Sequence, residues 1–210
     1  MEDISRRICE DVRGLQYIGL NGSIEDGSNR NYFPHGFHCH IYAETMIDRE
    51  LDYDTEYADY FSHLYGEDWK AVQRCLRGIS DAFGEKYMAG EESADPDRGV
   101  HYNPARAEKL AAVKELAAQA RELAAKHLEA LSRPQAVAYR LLRHHADYCE
   151  GLAEVMTEKC LGHDRYAMER FRSFAFEMGK WEIERDRCFD YGLMYAAIES
   201  IVKQLPQIEL

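Results

Sequence analysis

The chain has 210 residues, of which 46% are hydrophobic and 30% are charged, and this balance excludes an intrinsically disordered protein. Its formal net charge of −12 disfavours nucleic acid and anionic membrane surfaces as partners, because like charges repel. This length accommodates one large domain, or one domain with an appendage.

The cysteines are thinly spread and indicate no metal or redox motif. None of the six forms a C-x-x-C pair, and at helical spacing they are typical of small buried hydrophobic side chains. This usage favours a reducing, cytoplasmic location. No apolar run approaches the roughly 20 residues that a bilayer-spanning helix needs, so no membrane partner is expected. The chain has no glycine-rich phosphate-binding or dinucleotide-binding motif, so no cofactor is expected.

The first 34 residues contain a short apolar run between a helix and a polar loop. Residues 5–15 have helical spacing, and residues 17–20 are apolar, as in a buried strand. Helix, strand and polar loop in this order are typical of the last unit of a β/α barrel. Because an isolated strand cannot satisfy its backbone hydrogen bonds, the pattern predicts a sheet elsewhere. We therefore interpret residues 1–34 as the end of a preceding barrel-like domain, or as a linker.

Residues 35–210 are predicted to form a helical bundle domain. Apolar residues recur at three- and four-residue steps, and the breaks between them carry Gly, Pro, Asn and Asp. Asp54 is predicted to cap the second helix of the bundle, and Asn103 the fourth. The fold class is therefore all-α, a bundle of about six or seven helices with a possible vestigial strand near the N-terminus. The predicted helices of the bundle cover residues 37–48, 55–65, 67–88, 103–131, 134–160 and 163–205.

A group of histidines is the densest polar feature of the sequence. His40 and Glu44 are one helical turn apart and could bind a metal together with His38 or His35. The alternative is that these histidines line a wet surface or cap the helix. Residues 144–149 offer a second, weaker pair of ligands. The sequence as a whole does not predict a metal site, and His38, His40 and Glu44 are its weak candidates.

The loop after the predicted strand carries the residues best suited to a ligand. Asn21, Glu25 and Asp26 can hydrogen-bond sugar hydroxyls, and Tyr32 and Phe33 can stack on a sugar ring. The alternative is a solvated acidic loop. No catalytic residue is predicted, since the chain has neither a nucleophile elbow nor a carboxylate pair held at a fixed separation.

Part of the sequence resembles a known family. Residues 42–48 and 54–66, YAETMID and DTEYADYFSHLYG, and then DWKAV at 68–72, resemble domain of unknown function 4838. Bacterial proteins carry that domain beside alpha-glucuronidase-like and hexosaminidase-like barrels. Residues 181–190 are similar to its final helix, and residues 17–22 to the end of its barrel. His35, His38 and His40 have no place in the pattern.

The resemblance implies a function for the chain. It would be the non-catalytic C-terminal helical module of a carbohydrate-active, glycoside-hydrolase-like protein. Its partner would be the barrel domain of the parent protein, and a carbohydrate would be a candidate ligand. Two alternatives remain open. One is a stand-alone helical bundle that acts as a binding or interaction protein. The other is a metal-dependent enzyme that uses His35, His38 and His40.

Overall fold

A computed structural model describes residues 2–23, 33–129, 132–185 and 188–203 of the chain, and in this part it contains helices and no strand. This result confirms the predicted all-α fold class. Eight of its helices are long and two are short, one more long helix than the upper predicted number. They are α1 Glu2–Gly14, α2 Phe37–Ile47, α3 Tyr53–Tyr65, α4 Trp69–Phe83, α5 Glu85–Met88, α6 Ala107–Ala111, α7 Val113–His127, α8 Arg133–Cys160, α9 Asp164–Arg185 and α10 Tyr191–Val202.

Helix α8 is the centre of the bundle because its side chains enter both hydrophobic clusters of the core. Tyr139, Leu142 and Ala146 pack with α1 to α4 and α7, while Val155 and Met156 pack with α9 and α10. These five side chains are at most 1% exposed. Helix α7 approaches closely because the residues that it buries are mainly alanines, which leave little bulk between the two backbones.

Helix α1 belongs to the same packed structure as α2 and α3. Cys9 is 1% exposed and accepts a hydrogen bond from Thr45 Oγ1 at 3.5 Å. Arg13 Nε donates to the carbonyl oxygen of Arg49 at 2.8 Å, which joins the end of α1 to the segment after α2. The domain boundary at residue 34 stays a prediction, but the helix before it shares a core with the helices after it.

The predicted strand at residues 17–20 is wrong. Residues Leu15–Ile18 form a single turn of 3-10 helix that ends at Gly19, whose φ is 79°. The amide of Leu20 donates to the carbonyl of Leu15 at 3.0 Å, so local bonds replace those of a sheet. The side chains of Tyr17 and Ile18 are 84% and 72% exposed. Because residues 17–20 form no strand, this segment needs no neighbouring sheet.

Two helix starts differ from the prediction. Asp52, and not Asp54, caps α3, since its Oδ1 accepts the amide hydrogen of Thr55 at 2.8 Å. Asn103 precedes a 3-10 turn instead of capping a long helix. Its side-chain amide donates to the carbonyl of Glu92 at 2.7 Å, which fixes the acidic loop in place of a cap.

Three predicted helices are interrupted, and one of them is the predicted helix 103–131, which is divided at Ala112 into α6 and α7. Gly84, with φ 71°, separates α4 from α5 within the predicted helix 67–88. The predicted last helix, 163–205, is divided into α9 and α10, and Asp190 caps α10 by accepting from the amide of Leu193 at 3.0 Å. An aspartate that binds its own following backbone starts a new helix at this point.

Candidate functional site

The residues proposed to bind sugar are not assembled in the described structure. Asn21 is exposed. Phe33 packs on the bundle, with its ring edge-to-face against Phe189 and His145 at centroid distances of 5.3 and 5.6 Å. Phe33 therefore offers less of its ring to a sugar than an exposed loop residue would. The other proposed residues, Glu25, Asp26 and Tyr32, lie outside the described residues.

The weak metal candidates do not converge either. His40 Nε2 lies 2.6 Å from Glu56 Oε1 on α3, and its ring lies 4.7 Å from that of Tyr60. Its contacts therefore tie α2 to α3. Among the residues that the structure describes, no three His, Cys, Asp or Glu side chains form a group that could hold a metal ion, and this includes His38, His40 and Glu44.

The structure brings together the two histidine clusters that the sequence presents separately. His35 faces α8, where the proximity of His145 contributes to lowering its pKa. Burial is the main cause, and it lowers the pKa of His35 to about 3 and that of His145 to about 4. Both imidazoles are therefore neutral at neutral pH.

Cys149 is not an activated nucleophile, although its Sγ lies 3.4 Å from His145 Nε2. Burial raises the pKa of the Cys149 thiol far above its ordinary value. A reactive cysteine needs a lowered pKa and access to solvent, and Cys149 is 3% exposed. His145 and Cys149 therefore belong to the packing of α8, and Phe33 lies against them with its ring centroid 5.6 Å from that of His145.

His35 also lines a cleft between the start of α1, the start of α2, and helices α3 and α4. It encloses about 40 Å³. Its floor is apolar and consists of Phe37, Phe61 and Leu76, which are at most 7% exposed. Six polar side chains line it as well: Ser5, His35, Gln73, Arg77, Ser80 and Asp81.

Helix α4 supplies most of the polar lining. Gln73, Arg77, Ser80 and Asp81 follow one another at helical steps, so they share one face of α4. Arg77 and Asp81 are exposed at the mouth of the cleft, whereas Gln73 and Ser80 are half-buried. Opposite them Ser5, 2% exposed, lies with its Oγ 2.7 Å from the hydroxyl of Tyr53.

The position of His35 is set by its backbone and its ring together. Its Nδ1 accepts the amide hydrogen of Phe37 at 3.2 Å, and its carbonyl accepts the hydroxyl of Tyr60. The ring also lies edge-to-face on Phe61, at 5.0 Å. Gly36, with φ 65°, lets the chain turn from His35 into α2. Since Nδ1 is the acceptor, the neutral ring carries its proton on Nε2.

Sequence reasoning selected His35, but it did not find the cleft. The polar face of α4 was visible at residues 73–81, yet solvent-exposed faces of helices carry the same pattern. Ser5 gave no signal, because its burial depends on how α1 packs on α3. The cleft forms only when three helices and the turn at Gly36 meet, and spacing along one helix does not reveal such a meeting.

Two further concave surfaces are weaker candidates for a functional site. The groove between α8 and α9 contains Phe174 and Trp181 and a set of carboxylates. Each carboxylate contacts a basic side chain of the same chain, which offsets the charge of the groove. The pairs are Asp147–Arg121 at 2.7 Å, Glu154–Arg170 at 3.2 Å, Glu169–Arg165 at 3.1 Å and Glu177–Lys180 at 2.7 Å. A shallow apolar groove beside Tyr60 and Val137 has few polar groups.

Comparison with protein-family models, with curated proteins and with solved structures finds no match for this chain. The resemblance to domain of unknown function 4838 therefore stays a prediction. Within the described part of the chain, no helix has both the length and the apolar character that a membrane crossing requires.

Proposed function

We propose that the chain is a non-catalytic helical-bundle module that binds a small polar ligand in the cleft between α1, α3 and α4. The observation that supports this function is the group of polar side chains around the apolar floor of Phe37, Phe61 and Leu76. Small-molecule sites have this composition, an apolar lining with a few placed polar groups.

The volume of the cleft limits the size of the ligand. One buried water needs roughly 10–15 Å³ of such space, so the cleft of about 40 Å³ holds roughly three waters. A group of about three non-hydrogen atoms, such as one end of acetate or glycine, fits this volume. A pyranose ring exceeds it, and a larger ligand would place only one end in the cleft.

Amide chemical shifts in a ¹⁵N-labelled sample test this function. We expect at least one solute of a panel of acetate, acetamide, glycine, urea and glycerol to give saturable shifts at residues 35–37 and 73–81. Replacing Arg77 by alanine should reduce these shifts. The control Arg74→Ala lies on the same helix but faces Gln119 and Glu122, so it should leave them unchanged. If no solute of the panel gives saturable shifts at these residues, the proposed function is overturned.

A second candidate is the helical module of a carbohydrate-active protein, as the family resemblance implies. It is supported by the order of elements in the region of resemblance. Helix α2 leads through an acidic turn into α3, which ends at Tyr65 and Gly66, and α4 follows. The exposed Tyr17 and Ile18 would be covered if a barrel packed against that end of α1.

The gene neighbourhood and a sugar titration together test this second candidate. A reading frame that is continuous with the chain and encodes a barrel supports it. Shifts of the Asn21 and Phe33 amides on addition of methyl glucuronide or N-acetylglucosamine support it as well. The candidate is rejected if no barrel precedes the chain and neither sugar shifts these amides.

A further inference from the structure

The shallow apolar groove beside Tyr60 and Val137, between α3 and α8, shares only His35 with the cleft of the proposed function. We propose that this groove binds an amphipathic monoanion, an alkyl chain that ends in one carboxylate. The alkyl chain lies along the apolar walls, and the carboxylate pairs with Arg133 in the first turn of α8. Octanoate is a simple ligand of this class.

The walls of the groove are apolar side chains from two helices. Helix α3 contributes Tyr60 and Leu64, which are one helical turn apart, and α8 contributes Val137, Ala138 and Leu141. Val137 is 40% exposed, so a large apolar side chain of this surface is in contact with water. A ligand chain that covers these walls is therefore favoured by the hydrophobic effect.

The groove has little charge apart from Arg133. The hydroxyl of Tyr60 is already engaged, because it donates to the carbonyl of His35. The imidazole of His35 is neutral, since burial lowers its pKa to about 3. None of the described residues that line the groove is acidic. An anion in the groove therefore meets one positive side chain and no negative one.

Arg133 has no counter-ion of its own. Among the residues that the structure describes, none forms an ion pair or a hydrogen bond with its guanidinium. The first turn of α8 has no acidic residue, and the side chain of Ser132 does not cap it. The guanidinium and the positive end of the helix dipole therefore stand together without a compensating anion. A carboxylate compensates both, and its two oxygens match the fork of the guanidinium.

The length of the groove along α8 sets the length of the ligand. Leu141 follows Arg133 by eight residues, which is about 12 Å along a helix. An extended octanoate or decanoate chain has about this length, whereas acetate reaches only the charged end. The volume of about 480 Å³ is also that of a small-molecule site, for which roughly 300–1,000 Å³ is usual.

An amide-shift titration of the full chain at constant ionic strength separates the contributions of chain and charge. Octanoate has both, 1-octanol has the chain alone, octyltrimethylammonium has the chain with the opposite charge, and acetate has the charge alone. We expect octanoate to saturate shifts at residues 60–64 and 133–141. The other three solutes should bind at least about tenfold more weakly, the factor of one charge-assisted hydrogen bond.

A pair of arginine variants tests the role of the charge. Arg133→Gln should weaken octanoate binding at least about tenfold and change 1-octanol binding less than about twofold. Arg143→Gln is the matched control, because Arg143 is exposed on the same helix and does not line the groove. It should change octanoate binding less than about twofold, as is usual for an exposed charge that does not touch the ligand.

A third variant tests the groove itself. Val137→Glu places a carboxylate on the apolar wall, one helical turn from Arg133, where it competes for the guanidinium. It should weaken octanoate binding at least about tenfold, because the bound carboxylate then meets a like charge. Val137 is 40% exposed, so the substitution does not open the core. Thermal melts followed by circular dichroism verify that all three variants are folded.

The outcomes lead to distinct conclusions. If 1-octanol or octyltrimethylammonium binds as tightly as octanoate, or if Arg133→Gln binds octanoate like the wild type, the pairing of a carboxylate with Arg133 is overturned. If octanoate gives no saturable shifts at residues 60–64 and 133–141, the groove is not its site and the whole inference is overturned. Either result leaves the proposed function standing, because that function is tested at residues 35–37 and 73–81.

Discussion

The ring of Phe174 on α9 occupies the space that a side chain at Gly151 on α8 would need. A Cβ atom added to Gly151 would stand 2.4 Å from Phe174 Cδ2, a distance that real Cβ atoms essentially never show. The missing side chain therefore lets α8 and α9 approach each other, and it helps to form the groove in which Phe174 and Trp181 lie.

Replacing Gly151 by alanine should consequently lower the free energy of unfolding. Overpacking of this kind costs about 1–3 kcal/mol, and it opposes a gain of about 1 kcal/mol from the better helix propensity of alanine. We expect a net loss in urea unfolding followed by circular dichroism.

The control is Gly179→Ala on α9, where the nearest atom to an added Cβ is Tyr191 Cζ at 3.7 Å, an ordinary contact. This variant should be neutral or more stable, by about 0.5–1 kcal/mol from helix propensity alone. Equal effects at Gly151 and Gly179 would contradict the packing that we describe.

Replacing Gly84 by alanine should lower the free energy of unfolding still more, because both its backbone conformation and the neighbouring Arg106 exclude a side chain. Its φ is 71°, and an added Cβ would lie 2.1 Å from Arg106 Nη2. Arg106 is 7% exposed and donates to Glu92 Oε2 at 2.7 Å, so it has little freedom to move away. Gly84→Ala should cost about 2–6 kcal/mol in urea unfolding, the sum of backbone strain and overpacking.

The matched control for Gly84 is Gly99→Ala. Gly99 has a φ of 112°, with nothing within 4 Å of an added Cβ. The Gly99→Ala variant therefore measures only the cost of backbone strain, which is about 1–3 kcal/mol. The difference between the two variants measures the contact with Arg106. A Gly84 variant that is no less stable than the Gly99 variant would show that Arg106 moves aside freely.

The helix boundaries were predictable from the sequence where a local signal, such as a glycine, marks the end of the helix. Gly66 and Gly162, with φ of 60° and 77°, follow the ends of α3 and α8, close to the predicted ends at residues 65 and 160. The 3-10 turn at residues 15–18 was not predictable, because a short apolar run has the same pattern in a strand and in an exposed turn. What decides between them is the presence of a neighbouring strand, which is a property of the tertiary structure.

The candidate site was predictable only in part, for the same reason. His35 was selected because histidine is a common functional residue, but its partners come from other helices. The groove that His35 lines together with Leu141 of α8, and the closeness of Ser5 to Tyr53 at 2.7 Å between hydroxyl oxygens, follow from packing between distant segments. No spacing within one element encodes them.

Acid should destabilise the fold through the two histidines whose pKa values are lowered, His35 and His145. In the unfolded chain His145 takes up a proton as the pH falls below its ordinary pKa of 6.5, while in the folded protein its pKa is lowered to about 4. Between these values the unfolded state binds more protons, so stability decreases as the pH falls. The limit is about 1.4 kcal/mol per pH unit for each such histidine.

Replacing His145 by glutamine removes one of the two groups that take up a proton on unfolding. Urea unfolding at pH 6.5, 5.5 and 4.5 should therefore show a shallower loss of stability than in the wild type, by up to about 1.4 kcal/mol per pH unit. His63→Gln is the control, since the His63 side chain is 77% exposed. If both variants have the wild-type dependence on pH, His145 already accepts its proton in the folded protein.

A buried ammonium group joins three helix ends, and this arrangement predicts an asymmetry between two substitutions. Lys159 is 4% exposed, and its Nζ donates to Asp164 Oδ1 at 2.6 Å and to the carbonyl of Val202 at 3.3 Å. Removing the carboxylate leaves a buried charge without this counter-ion. Removing the lysine leaves a carboxylate whose side chain is 27% exposed and can be solvated.

Asp164→Asn should therefore cost more than Lys159→Met. Breaking a buried pair costs about 3–5 kcal/mol, and the partial exposure of Asp164 reduces this to about 1–3 kcal/mol. Methionine keeps much of the volume of the lysine without its charge, so Lys159→Met should cost less than about 1 kcal/mol. The double variant should be no less stable than Asp164→Asn alone, because without the lysine there is no buried charge to compensate. Urea unfolding of the four proteins gives this cycle directly. If Lys159→Met is the most destabilised of them, the ammonium group stabilises the junction beyond its pairing with Asp164, and the asymmetry argued from burial is wrong.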